Sequence, residues 1–158
     1  MDFTLKNCTL NDLDFILNLK ELGMKWYIEK LYGWNAEIQK TKTLEELNKY
    51  LNDMKIIMID NNDAGITTFS EFDDYFQVGL TIIHPDYQNK GIATKIISEY
   101  IDIARKKQKR IIIKTFKENP AQRLYQRLGF KIYETTDSHL LLEIQFWQKG
   151  KHYGYWKS

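Results

Sequence analysis

The chain is poor in the residues that would tie it together covalently or divide it into pieces. Cys8 is its one cysteine, so an intrachain disulfide is impossible and thiolates cannot assemble a zinc site. A single thiol with no cysteine or histidine cluster reads as a small buried hydrophobe, not a nucleophile. Both of the two prolines stand at expected element boundaries, and no linker, repeat or low-complexity stretch divides the chain. Charge of one sign is missing too: 23 Lys and Arg against 21 Asp and Glu leave +2, and nothing in that balance calls for nucleic acid or a membrane. No apolar run approaches the ~20 residues of a membrane span. The first residues lack the basic-then-apolar order of a signal peptide. These absences lead to the expectation of a soluble, cytoplasmic protein. With 43% apolar residues, a chain of 158 residues is large enough to bury one continuous core.

What is present reads as alternating short strands and amphipathic helices. Phe3 to Cys8 alternates apolar and polar residues, as a half-buried strand does. Thr9-Leu10-Asn11-Asp12 has capping-box spacing before a helix with Leu13, Ile16, Leu17 and Leu22 on its stripe. An aromatic-rich helical stretch is predicted over about Lys25 to Leu31. Thr43-Leu44-Glu45-Glu46 reads as a capping box opening a further helix that ends near Leu51. Met54 to Ile59 and Gly65 to Phe72 are predicted to pair about the turn Asn61-Asn62-Asp63. Tyr75 to Ile83 follows as a strand, in which Gly79 marks a bulge or a close approach. Gly91 to Lys107 gathers Ile92, Ile96, Ile97, Tyr100, Ile101 and Ala104 on one helical face. Ile111-Ile112-Ile113 suits a central strand covered on both sides. Two strands, about Phe130 to Thr135 and His139 to Ile144, come last. The order implies an α+β domain built on one mixed sheet.

Two local patterns carry chemistry. Gln88-Asn89-Lys90-Gly91-Ile92-Ala93 joins a strand to a helix through small residues, a place where orphan backbone N–H groups and the helix dipole accept an anion, typically a phosphate. Gly91 lets that anion approach the backbone, and Lys90 adds a cation at the rim. Downstream, Asn119-Pro120-Ala121 through Leu128-Gly129-Phe130 forms a short helix with both ends marked: Asn119 as N-cap, Pro120 in the first position, and Gly129 at the C-terminal cap. Together the patterns resemble the GNAT superfamily of N-acetyltransferases. The first matches the motif Gln/Arg-x-x-Gly-x-Gly/Ala at Gln88, Gly91 and Ala93. The second matches Asn-x-x-Ala-x-x-x-Tyr-x-x-x-Gly-Phe loosely, at Asn119, Ala121, Tyr125, Gly129 and Phe130, with the alanine one place early. The strong resemblance covers about Gln77 to Leu142.

The resemblance implies a GNAT fold over residues 1–144: a single, mostly antiparallel sheet of about seven strands with about four helices, splayed so that acetyl-coenzyme A enters it. It implies acetyl transfer from that cosubstrate to a primary amine by direct attack, with no metal. It gives the pyrophosphate to Gln88, Asn89, Lys90, Gly91, Ile92, Ala93 and Thr94, and the pantetheine arm to the backbone of Leu80, Ile82 and Ile83 and to Asn119. Tyr125 matches the general acid for the leaving thiolate. The family's base, a glutamate five residues before the motif asparagine, is replaced here by Lys114. Glu71 and then Asp73, in the acidic turn with Asp74, are the expected substitutes, and that turn is expected to face the acceptor cleft and attract a cationic amine. Trp26, Tyr27 and Trp34 are expected to flank the acceptor, a small molecule or a peptide amine. His84 is expected to be structural. The basic run Arg105 to Arg110 reads as a solvated helix end, or as a partner for the 3′-phosphate of the cofactor. The aromatic tail 145–158 reads as a docking segment, an edge strand or a poorly ordered end, which the sequence does not separate. A homodimer is left open. The reading from another class is a GNAT-fold protein that binds acyl-coenzyme A without turnover.

Overall fold

A computed structural model describes residues 1–146, so the tail, apart from its first two residues, lies outside the described residues. Seven strands form one sheet in the order β1-β2-β3-β4-β5-β7-β6. They are β1 (Thr4–Asn7), β2 (Met54–Ile59), β3 (Asn62–Glu71), β4 (Tyr75–Ile83), β5 (Arg110–Phe116), β6 (Lys131–Thr135) and β7 (His139–Ile144). Every neighbouring pair is antiparallel except β4 and β5. Four helices cover it: α1 (Leu13–Tyr32), α2 (Ala36–Tyr50), α3 (Ile92–Lys106) and α4 (Ala121–Arg127). This is the α+β, mostly antiparallel architecture expected. No helix among the described residues is long and apolar enough to cross a membrane.

Hydrophobic patterning assigns a core to each face. The isoleucine-rich stripe of α3 buries Ile92, Ile96, Ile97, Tyr100 and Ile101 against Phe76, Val78, Ile111 and Ile113, and α4 adds Tyr125 to the same layer. Each fully buried side chain of this kind contributes about 2 kcal/mol. On the opposite face Ile16 and Leu19 of α1 and Leu47 of α2 pack on Met54, Ile56 and Ile66.

Two helix boundaries differ from expectation. The first two helical stretches are one helix, α1, running through Gly23. A Cβ on Gly23 would stand 2.9 Å from Cγ2 of Ile82, so this glycine permits close packing of α1 on β4 and does not end the helix. The second helix starts at Ala36, where the Asn35 side chain accepts from the Ile38 amide at 3.0 Å. Thr43 therefore lies inside α2 and caps nothing. It is fully buried and accepts a hydrogen bond from Lys20 at 3.0 Å.

The feature that creates the site is a bulge in β4. Thr67 pairs with Thr81, but Phe69 pairs with Val78, so β4 holds one residue more than β3 around Gly79 and Leu80. A bulge bends its strand and increases the local twist. Glycine suits that place, because a Cβ would stand only 3.1 Å from the Cβ of Thr68 and press on it. On its other side β4 pairs with β5 only from Tyr75↔Arg110 to Val78↔Ile113. Beyond the bulge the two parallel strands separate, while β5 stays paired to β7 as far as Phe116↔His139.

Candidate active site

The strand–loop–helix turn at the end of β4 is held open by its own side chains. His84 Nδ1 accepts from the Asp86 amide at 3.1 Å, the structural role expected of it. The Gln88 carboxamide donates to the Ile83 carbonyl at 2.8 Å, so it ties the loop to the strand and is not free for a ligand. Asn89 (φ 62°) and Gly91 (φ 79°) adopt left-handed conformations, which asparagine and glycine tolerate best. The result is a run of amides, Asn89 to Thr94, with no acceptor among the described residues. It stands at the positive end of the α3 dipole. A Cβ on Gly91 would touch nothing within 4 Å, so this surface is open.

From this loop a cleft of about 880 Å³ runs between the splayed strands. It is large enough for a cofactor. The residues predicted for the cofactor that line it are Leu80, Ile82, Ile83, Gln88, Asn89, Gly91, Ile92, Ala93, Thr94, Asn119 and Tyr125. Lys90 is exposed outside that lining. Asn119 does two things at once: it lines the cleft, and its Oδ1 accepts from the Ala121 amide at 2.9 Å to cap α4. Tyr125, projecting from α4, is only 9% exposed. Burial pushes its phenol up to about 12, so it stays protonated at neutral pH and able to donate. Its hydroxyl has no hydrogen-bond partner among the described residues and borders the cleft.

The acidic turn does not reach this cleft. Glu71 binds Lys107 at 2.9 Å and Lys109 at 2.8 Å, and those two ammonium groups hold its carboxyl below the usual range. Asp73 and Asp74 are exposed in the same turn. The turn precedes the amino end of β4, whereas the cleft opens at its carboxyl end. The cleft's lining on β4 begins at Gln77, and strand length at about 3.3 Å per residue puts roughly 25 Å between the turn and the amide cradle. Neither Glu71 nor Asp73 lines the cleft, and Glu71 is engaged by its two lysines. By the same geometry the basic run lies at the far end of α3 from the amide cradle, where Lys107 and Lys109 answer Glu71 instead of a phosphate.

Of the three aromatic residues expected at the acceptor side, Tyr27 alone lines the cleft. It stacks on Phe116 with centroids 5.0 Å apart. Trp26 packs edge-on against Tyr27, is 61% exposed, and borders a smaller hollow with Lys30 and Glu118. Trp34 borders neither cavity and lies under the ammonium of Lys25. Three further polar side chains form part of the cleft wall, and of these the sequence had flagged only Lys114, at the position of the family's base. Glu46 reaches it from α2, with Oε1 held at 2.7 Å by Lys20, which is itself 4% exposed. Lys114 reaches it from β5, and His139 from β7. All three arrive through long-range pairings.

The comparisons agree with this geometry. The chain matches the family model for the acetyltransferase (GNAT) domain over residues 52–132, just over half its length. No curated protein matches it by sequence. Among solved structures, it is similar to the PaiA N-acetyltransferase of Thermoplasma acidophilum in complex with coenzyme A. That match has 17% identity and a TM-score of 0.71, covering 92% of this chain and 100% of that one. It is similar also to the ribosomal-protein-S18-alanine N-acetyltransferase of Escherichia coli, with 17% identity and a TM-score of 0.67, covering 95% of this chain and 97% of that one. At such identities the likeness to solved structures establishes the fold. With the family model matched across the bulged strand, the amide cradle and α4, the chain belongs to the GNAT acetyltransferase family.

Proposed function

We propose that this chain uses acetyl-coenzyme A to acetylate a primary amine by direct attack, as an N-acetyltransferase with residues 1–144 as its catalytic domain. The observation that carries the reading is one cleft with an unpaired amide cradle at one end and the protonated, buried hydroxyl of Tyr125 along its wall. Relatives of this fold crystallised with coenzyme A support the cosubstrate.

The residues fit that molecule in kind. Six successive amides and a helix dipole suit a pyrophosphate without a metal ion. The edge of β4 beyond Val78, unpaired by β5, suits an extended amide-bearing arm, which adds to a sheet edge as a strand does. Bound there, acetyl-coenzyme A supplies the thioester. Tyr125 donates its proton to the departing sulfur, and the backbone of the splayed β4 orients the acyl group. Tyr27 and Phe116 form an apolar wall on the acceptor side. No acidic patch borders the cleft, so recruitment of a cationic acceptor by Glu71 or Asp73 is no part of the reading.

Thiol release from acetyl-coenzyme A, measured across polyamines, amino acids and peptides with free amines, tests it. Amine-dependent release is expected. Binding of coenzyme A without release for any amine would leave the non-catalytic reading, which Lys114 in place of the motif glutamate favours.

A further inference from the structure

We propose that His139 is the general base of this enzyme, taking the proton from the incoming ammonium at Nε2 while Ser138 holds its Nδ1–H. The proposal rests on the transferase reading above and supplies the group that Lys114, Glu71 and Asp73 do not.

The geometry is built around the ring. His139 opens β7 opposite Phe116 of β5, on the cleft wall that also carries Tyr27. Its ring lies 4.4 Å from that of Phe116, which itself stacks on Tyr27. The turn beneath it is fixed: the His139 amide donates to Thr136 Oγ1 at 3.0 Å, and the Thr136 amide donates to the His139 carbonyl at 2.9 Å. Nδ1 stands 2.7 Å from Ser138 Oγ, and Tyr32 of α1 donates to the same oxygen at 3.3 Å. In the tautomer whose Nδ1–H donates to Ser138, Nε2 keeps its lone pair. Ser138 Oγ thus accepts from both His139 and Tyr32, which fixes the tautomer and the orientation of the ring.

The charged and titratable neighbours are Lys114 on β5, Tyr27 and Tyr32 on α1, and Asp137 in the turn. Glu118 is engaged by Lys30 at 2.9 Å. Burial first and the Lys114 ammonium second hold the imidazole below its ordinary range. It is therefore neutral, and a competent base, at pH 7.

The step balances. The substrate ammonium gives one proton to His139. The freed nitrogen lone pair forms the C–N bond, and the C–S bond breaks with its electron pair on sulfur, which takes the Tyr125 proton. The second proton leaving nitrogen restores Tyr125 through solvent, and the imidazolium returns its Nε2 proton to water in the open cleft, which restores the starting tautomer.

Two measurements test this. The first is the NMR titration of the His139 ring in the unliganded protein. Its midpoint is expected below the ordinary imidazole range, should rise in Lys114→Met, and should match the midpoint of the acid limb of the wild-type rate profile; an acid limb that does not follow the ring's titration overturns the proposal. The second compares wild type with His139→Gln on spermidine and on methoxyamine, the latter already neutral at pH 7. A loss on spermidine of about 100-fold or more is expected, with disappearance of the acid limb of the rate profile and a much smaller loss on methoxyamine. An active wild type alongside an equally active His139→Gln variant overturns His139 alone. A wild type that binds coenzyme A but turns over no amine overturns the transferase reading, and the base with it. Should His139→Gln fail to fold, the titration of the wild-type ring still decides.

Discussion

At the scale of the residue, the roles proposed for Tyr125 and Gly91 are of opposite kinds. Tyr125 is held by packing, and only its hydroxyl is free to act, so Tyr125→Phe should leave coenzyme A affinity nearly unchanged. Loss of a general acid should lower turnover about 100- to 10,000-fold, measured as thiol release at saturating cosubstrate. The same burial gives a stability signature. A phenol raised to about 12, against about 10 when unfolded, stabilises the fold in full below pH 10. That contribution is lost as pH rises towards 12, and amounts to about 2–3 kcal/mol. Between pH 10 and 12 wild type should therefore lose more melting temperature than Tyr125→Phe. Gly91, by contrast, has a left-handed backbone and open space beyond it. Aspartate tolerates that conformation, so Gly91→Asp should fold and place a negative charge among the free amides. Calorimetry should show loss of coenzyme A binding, and unchanged affinity would remove the cradle from the cofactor site. Both positions were legible in the sequence because loop and cap signals are local. His139 and Glu46 were not, since each meets the cleft through partners far along the chain: Phe116 on another strand, and Lys20 on another helix.

Among the elements, β4 sets the geometry of everything else. Its first half is an ordinary buried strand, paired on both sides. Its second half is bent by the bulge at Gly79 and exposes one edge, where an extended ligand can add. Gly79→Val should be costly on both counts. The new side chain meets Thr68 at 3.1 Å or less. Overpacking of this sort costs about 1–3 kcal/mol, and relief requires the strand to move where it borders the cleft. Denaturant unfolding should report the loss of stability, and coenzyme A affinity should fall with it. A stable variant with normal affinity would mean that the splay does not depend on the bulge. The sequence flagged Gly79 as a bulge because glycine is rare inside strands. It could not place α2, whose cap at Asn35 looked weaker than the Thr43-x-x-Glu46 spacing that tertiary packing overrides: Thr43 was needed as a buried acceptor for Lys20. Gly23 misled in the same way, since a glycine that serves packing and a glycine that ends a helix look alike in one dimension.

Across the whole molecule, chain direction separates binding from surface charge. The amide cradle must follow the carboxyl end of β4, so the turn before its amino end stands at the opposite end of the strands. Strand polarity alone contains this, and the acidic residues drew attention away from it. The same polarity puts the basic residues after α3 about 22 Å from the cradle, at 1.5 Å per residue of helix. That is beyond a Debye length of about 8 Å at physiological salt. Coenzyme A should therefore be held mainly by backbone dipoles, and Lys106→Gln with Lys107→Gln should change its affinity by about twofold at most. Binding should nonetheless report on the entire fold, because the cradle, β4 and α4 are joined through one core layer. Coenzyme A at about 100 times its dissociation constant stabilises a folded protein by about 2.7 kcal/mol, which for a chain of this size raises the melting temperature by about 5–10 °C. The shift should persist in Tyr125→Phe and in the double lysine variant, and vanish in Gly91→Asp. A shift abolished by the lysine changes and untouched by Gly91→Asp would place the cofactor at the other end of α3, and the cleft would lose its assignment.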